Sequence, residues 1–294
     1  MKLQGMFASA ATPFDHSGTV YRAKVQHNFD KWCRTSLAGF IIGGFTGEGP
    51  LLEPHEKIEV LRLATPVVPA GRTVILDVSA EGVHAAARLA QLAADGGAQA
   101  VISVVPHEYR NSAFGPEVQA LYFRALADRS PVPVLIHNAP QITGVDLQPD
   151  VVGQLAEHPN IGGVLETGTS AGRIRQLRAL VPNDFAVLTG SEAEVWDSLK
   201  SGANGAVLAF ACAAPYATIA IWEAHRTRED EAGADWQGRV ARPSVLVTDL
   251  YGVPGLKHAM DLNGYYGGPP RLPFVPVGAA ARQEIEDAFR DLKG

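Results

Sequence analysis

The sequence predicts an α/β chain folded as a (β/α)8 TIM barrel with extra C-terminal helices, and three observations predict it. Eight short apolar runs alternate with longer helical patterns up to residue 227. Each run is continuously apolar rather than alternating, as suits parallel strands covered on both faces. From residue 228 onward the chain shows helical patterns and no strand. One unbroken series of strand–helix units is what a closed parallel barrel requires. A doubly wound open sheet is the rival that this pattern leaves standing.

The predicted strands cover 6–12, 39–44, 73–78, 100–105, 132–137, 161–166, 185–189 and 205–210. Helical patterns lie between them at 20–35, 54–67, 82–95, 115–129, 148–158, 172–181, 192–201 and 215–227. Pro54 opens its helix, where a missing N–H costs nothing. The stretch from Ala85 to Ala94 is rich in alanine and leucine, the strongest helix formers. The expected division is a barrel over 1–227 and a helical extension over 228–294 packed on it. Within the extension, 236–250, 254–262 and 282–292 read as helices and the charged stretch 228–235 as a surface turn.

Composition narrows the function. With 46% hydrophobic and 19% charged residues in 294, the chain can bury a full core. A net charge of −6 leaves no basic face for a phosphate backbone, so no nucleic-acid partner is expected. No apolar run approaches the roughly 20 residues that span a bilayer, so no membrane partner is expected either. Two cysteines, Cys33 and Cys212, are too few for a disulfide framework. Together with a start, Met1-Lys2-Leu3, that lacks an apolar leader, this points to the cytoplasm.

In a barrel of this kind the chemistry sits where strands end and loops begin. The residues to read are Thr12, the 44–48 segment, Asp77, the 106–110 segment, His137, Leu165, Gly190 and the 207–210 segment beginning at Val207. Gly43 to Gly49 is glycine-dense, which lets backbone amides approach an anion. Pro50 stands where a P-loop needs lysine, so nucleotide binding is not implied. His137 ends the fifth strand and can carry protons near neutral pH. Asp77 ends the third, where an unpaired carboxylate would be costly, so a partner is expected. With His137, Glu48 and Glu108 it can form an acid–base group. Metal-ligand spacing such as His-Glu-x-x-His is absent, and neither a metal nor a cofactor is expected. Gly168-Thr169-Ser170-Ala171-Gly172 matches a nucleophile elbow, with Asp249 and His258 following in hydrolase order, which keeps serine hydrolysis at Ser170 as a minor alternative.

Three segments in this order, Gly44-Phe45-Thr46-Gly47-Glu48, Leu135-Ile136-His137-Asn138-Ala139-Pro140 with Thr143-Gly144, and Asn160-Ile161-Gly162-Gly163-Val164, resemble the dihydrodipicolinate synthase / N-acetylneuraminate lyase family. The segment Gly267-Gly268-Pro269-Pro270-Arg271-Leu272-Pro273 resembles that family's structural Gly-x-x-Arg-Leu-Pro signature. The resemblance implies a site for a small carboxylate or 2-keto compound at the barrel mouth, and a homo-oligomer, dimer or tetramer. It implies a Schiff-base lysine where Leu165 stands, a threonine where Phe45 stands, a tyrosine proton relay where His137 stands, and often a carboxylate-binding arginine where Ile142 stands. Thr46 and Gly47 keep the family's residues. Glu108 or Tyr109 falls at the tyrosine that reaches a neighbouring subunit.

Leucine offers no amine, so imine catalysis is excluded at residue 165. The remaining lysines, at 2, 24, 31, 57, 200, 257 and 293, fall in termini or helical patterns. Two readings from different classes follow. One is a lyase or aldolase relative with a changed mechanism, using His137, Thr46, Asp77 and Glu108 or Tyr109 for proton transfer. The other is a non-catalytic small-molecule-binding or structural homo-oligomer, whose pocket Phe45, Ile142 and Leu165 make more apolar.

Overall fold

The computed structural model describes residues 3–109 and 114–292. Arg110 of the fourth predicted loop, and Lys2 and Lys293, lie outside these residues. Eight parallel strands close into a barrel: β1 (Gly5–Ser9), β2 (Gly39–Ile42), β3 (Thr73–Asp77), β4 (Ala100–Val104), β5 (Val134–Asn138), β6 (Ile161–Glu166), β7 (Ala186–Thr189) and β8 (Gly205–Leu208). Each strand pairs with its sequence neighbours, and β8 closes on β1 through Phe7 opposite Val207. The open-sheet rival is thereby excluded.

The helices that follow the strands are α1 (Arg22–Trp32), α2 (Pro54–Ala64), α3 (Val83–Asp95), α4 (Pro116–Ala127), a single turn α5 (Pro140–Thr143), α6 (Pro149–Leu155), α7 (Ala171–Leu180), α8 (Val195–Lys200) and α9 (Pro215–Thr227). Three more follow: α10 (Asp230–Val245), α11 (Gly252–Leu262) and α12 (Ala279–Ala288). Pro54 is the first residue of α2, and Glu53 and Glu56 close a reciprocal capping box ahead of it.

An expectation for the C-terminal segment is overturned. The stretch 228–235 is not a turn: after a left-handed Arg228, α10 begins at Asp230. Asp230 and Glu231 sit in its first turn, where the helix dipole favours negative charge. Pro243 lies inside α10 and removes a backbone donor, and a wider π turn, Leu246–Leu250, follows.

Strand alternation sends one set of side chains outward against the helices and the other inward. The inward set includes Phe7, Ile41, Ile75, Ile102, Leu135, Leu165, Leu188 and Val207, a closed apolar plug. Residues two steps further along these strands, Ser9, Asp77 and His137 among them, form the layer above the plug at the barrel's C-terminal mouth.

A buried polar knot ties the C-terminal segment to this rim. Lys257, on α11, places Nζ 2.6 Å from Glu48 Oε1, with both side chains almost fully buried. The same ammonium donates to Thr12 O at 2.9 Å and Pro269 O at 3.1 Å and lies 4.5 Å from the centre of the Phe14 ring. Arg271 donates its backbone N–H to Glu48 Oε2 at 2.7 Å and both guanidinium arms to Glu56. Glu48 is thus spent on the knot and does not join Asp77 and His137. Its left-handed backbone, φ 56°, turns the chain at the point where the second loop meets the C-terminal segment.

Candidate functional site

The mouth is built from the strand ends upward. Asp77 ends β3, and its Oδ1 accepts the Ser79 N–H at 2.9 Å. The expected partner is Lys57, which reaches from α2 to place Nζ 3.6 Å from Asp77 Oδ1. Both side chains are over nine-tenths buried. Lys57 was legible as a helical residue; that its amine arrives at a strand end was not. The other Asp77 oxygen and Ser9 Oγ lie 3.8 and 3.9 Å from where a side chain on Gly44 would begin. Glycine at 44 therefore keeps the floor of the mouth open beside two polar groups.

On the opposite wall, His137 pairs with Val104 of β4 and with Leu165 of β6. Its Nε2 lies 3.0 Å from Thr167 Oγ1, and its ring rests 5.8 Å from the Phe45 ring, tilted at 57°. Burial drives the imidazole down to about 4, and the Asp77 carboxylate opposes that shift. His137 is therefore neutral at physiological pH and able to accept a proton, while Asp77 stabilises the charge that results.

The linkage has a definite sign. A histidine whose folded value lies below its usual 6.5 binds fewer protons folded than unfolded between those limits, so stability is lost as pH falls. We expect unfolding free energy to drop by about 3 kcal/mol between pH 6.5 and 4 through this group. Denaturant titrations of the wild-type protein and His137→Gln across that range should show the difference in slope.

Leu165 lies at the top of the plug, 3% exposed, and packs against the β7 end. A methyl group added at Gly190 would stand 3.4 Å from Leu165 Cδ1 and collide with Thr167 Oγ1, so glycine there is what admits the threonine. Val207 is buried in the same plug and offers apolar contact from below. In the second loop, Gly47 O accepts from Thr12 Oγ1 at 2.7 Å. The Thr46 and Gly47 N–H groups and the Thr46 hydroxyl make no hydrogen bond among the described residues. These three donors are without a partner among the described residues.

Other predicted residues are placed elsewhere. Ile142, on α5, is half exposed, and Tyr109 is 69% exposed. Glu108 is exposed on the rim, and its N–H donates to Glu81 at 3.1 Å. Glu81, His107 and Glu108 bring one metal-ligand atom each within 4.8 Å of one another, but the Glu81 carboxylate already accepts the N–H groups of His107 and Glu108. Ser170, at the start of α7, is exposed and forms no bond to Asp249 or His258 among the described residues. His258 instead faces Glu286 at 3.3 Å, and Thr248 donates to Asp249. The hydrolase constellation is not assembled. Sequence reasoning missed Ser9, Lys57 and Thr167. The step of two from Phe7 and Leu165 would have flagged Ser9 and Thr167 as inward-facing.

Comparison with known proteins agrees with this architecture. Residues 2–292 match the family model described as the Dihydrodipicolinate synthetase family. A 4-hydroxy-tetrahydrodipicolinate synthase of an Exiguobacterium species is 31% identical over 294 residues, covering 97% of this chain and 96% of that protein. The enzyme of the same name from Methanothrix thermoacetophila is 30% identical over 292 residues, with 97% and 96% covered. Among solved structures, a dihydrodipicolinate synthase of Bacillus anthracis superposes with a TM-score of 0.93 at 24% identity, covering 98% of this chain and 97% of that one. A prophage protein of the dihydrodipicolinic acid synthase family from E. coli K12, solved in complex with pyruvate, gives 0.91 at 23% identity, with 99% and 98% covered.

Proposed function

The chain belongs to the dihydrodipicolinate synthetase family, and from that membership we propose that its barrel mouth binds a small 2-keto carboxylate and moves protons on it without forming an imine. The observation that carries this reading is the pairing of Leu165 in the plug with a neutral, buried His137, its cross-strand partner on β5. Leucine supplies no nucleophile at the position where the family resemblance expects lysine. Lys57 does not substitute for it, because its Nζ is held 3.6 Å from Asp77 Oδ1 and donates to Asp77 O, on β3 rather than at the end of β6.

The ligand class follows from the donors. The Thr46 and Gly47 amides and the Thr46 hydroxyl suit a carboxylate or an enolate oxygen. Phe45 and Leu165 suit a short apolar substituent. His137 is the base and Asp77 the charge that stabilises its protonated form. Ile142 presents no cation, which disfavours a second carboxylate on the ligand. Cytoplasmic location and a dimer or tetramer belong to the same reading. No helix among the described residues is long and apolar enough to cross a membrane.

Pyruvate is the probe, because it is the ligand named for the E. coli K12 relative. In heavy water the protein should exchange the methyl hydrogens of pyruvate faster than buffer does, followed by proton NMR. Saturable binding with no exchange would favour the alternative, a binding protein built on the same barrel. Neither binding nor exchange would remove the ligand class from the proposal.

A further inference from the structure

The hydrogen bond between His137 and Thr167 has a consequence for how protons move. Phe45 carries no hydroxyl, so the second-strand loop cannot pass a proton to residue 137 from that position. Thr167 can. It follows β6 by one residue and lies two beyond Leu165, which puts it on the inward-facing side of the chain. Its N–H is fixed by Asn138 O at 2.9 Å, and its Oγ1 hangs over Gly190 at 3.0 Å from His137 Nε2. The residue is only partly buried.

Resting on the proposed 2-keto chemistry, we infer that Thr167 is the proton-transfer partner of His137, carrying the proton between the imidazole and the carbonyl or enol oxygen of the ligand. The hydroxyl comes from the sixth strand end, above the leucine, instead of from the second. The arrangement follows the logic of a hydroxyl activated by an imidazole within hydrogen-bond reach, with Asp77 answering the developing positive charge.

The step balances in the direction from enol to ketone. The enol O–H bond breaks as its proton passes to Thr167 Oγ1. The Thr167 O–H bond breaks as its own proton passes to His137 Nε2. The C=O bond forms, and the electron pair of the enol C=C takes a proton, or a deuteron, from solvent water at C3. The imidazolium then returns its proton to the hydroxide that this leaves, regenerating water. The reverse sequence makes the enol from the ketone.

Thr167→Val keeps the shape and removes the hydroxyl, and Thr167→Ser restores it. With pyruvate in heavy water, Thr167→Val should exchange methyl hydrogens at least about tenfold more slowly than wild type, with serine recovering most of the rate. Pyruvate affinity should stay within about twofold in both, because the group acts on the rate and not on the hold. Nitrogen-15 NMR of the His137 ring reads the pair without any ligand. The Nε2 signal should move toward that of an unbonded ring nitrogen in Thr167→Val and stay near wild type in Thr167→Ser. A valine variant that exchanges at the wild-type rate overturns the inference. So does an Nε2 signal unmoved by valine, whether or not pyruvate proves to be a ligand. Absence of exchange in the wild-type protein would instead count against the 2-keto reading, and the nitrogen signal would then decide the pair alone.

Discussion

Replacing His137 by alanine is expected to slow methyl-hydrogen exchange in pyruvate by roughly 100- to 10,000-fold, the usual range for removing a positioned acid–base group. Proton NMR in heavy water reads the rate directly. The size of the effect follows from the site's composition. His137 is the group within the mouth that is neutral at physiological pH and also faces a carboxylate able to stabilise its protonated form. Asp77 is held by the Ser79 amide and the Lys57 ammonium. Pyruvate binding should survive the substitution, because the Thr46 and Gly47 donors belong to a different loop. A His137→Ala protein that exchanges as fast as wild type would show that His137 takes no part in the proton transfer.

Lys257→Met is expected to destabilise the protein by about 3–5 kcal/mol, the cost of leaving a buried charge without its partner. In a chain of this length that corresponds to a fall in Tm of roughly 10 °C. Both groups are buried, Lys257 at 1% and Glu48 at 0% exposure, and they meet at 2.6 Å. Burial alone pulls the Lys257 ammonium below its ordinary range, and the Glu48 carboxylate opposes that pull. Pairing Lys257→Met with Glu48→Gln should recover part of the loss, since the orphaned charge is then gone. Thermal unfolding of the single and double variants checks both points, and a single variant within about 2 °C of wild type would contradict them.

The barrel was legible because its strands advertise themselves. A parallel strand covered by helices outside and plug inside reads as an unbroken apolar run, and all eight runs became strands. Their predicted ends overshoot by a few residues at 10–12 or 209–210, where the chain stays apolar after it leaves the sheet. The start of α10 was hidden because a charged, glycine-containing stretch looks the same whether it forms a turn or a solvated first turn of helix. Its acidic first-turn residues were the available signal.

The site was legible only in part. His137, Asp77, Phe45 and Leu165 stand at strand ends, which position in the series reveals. Lys57 was invisible as a mouth residue, since a helical lysine reaches a strand end only through tertiary packing. Glu48 was misplaced for the opposite reason. It sits in the right loop, but its partners, Lys257 and Arg271, come from more than 200 residues away. No local pattern announces such a contact. Glu108 and Tyr109 occupy a rim loop, where sequence order says nothing about which way a side chain turns.

On the proposed function, this barrel handles a 2-keto acid without a covalent imine. The most direct test is borohydride reduction in the presence of pyruvate, read by intact-protein mass spectrometry, with Leu165→Lys as the comparator. The wild-type protein should keep an unchanged mass and the lysine variant should carry a trapped adduct. A reduced pyruvate adduct on the wild-type chain, at Lys57 or at any other lysine, would contradict it.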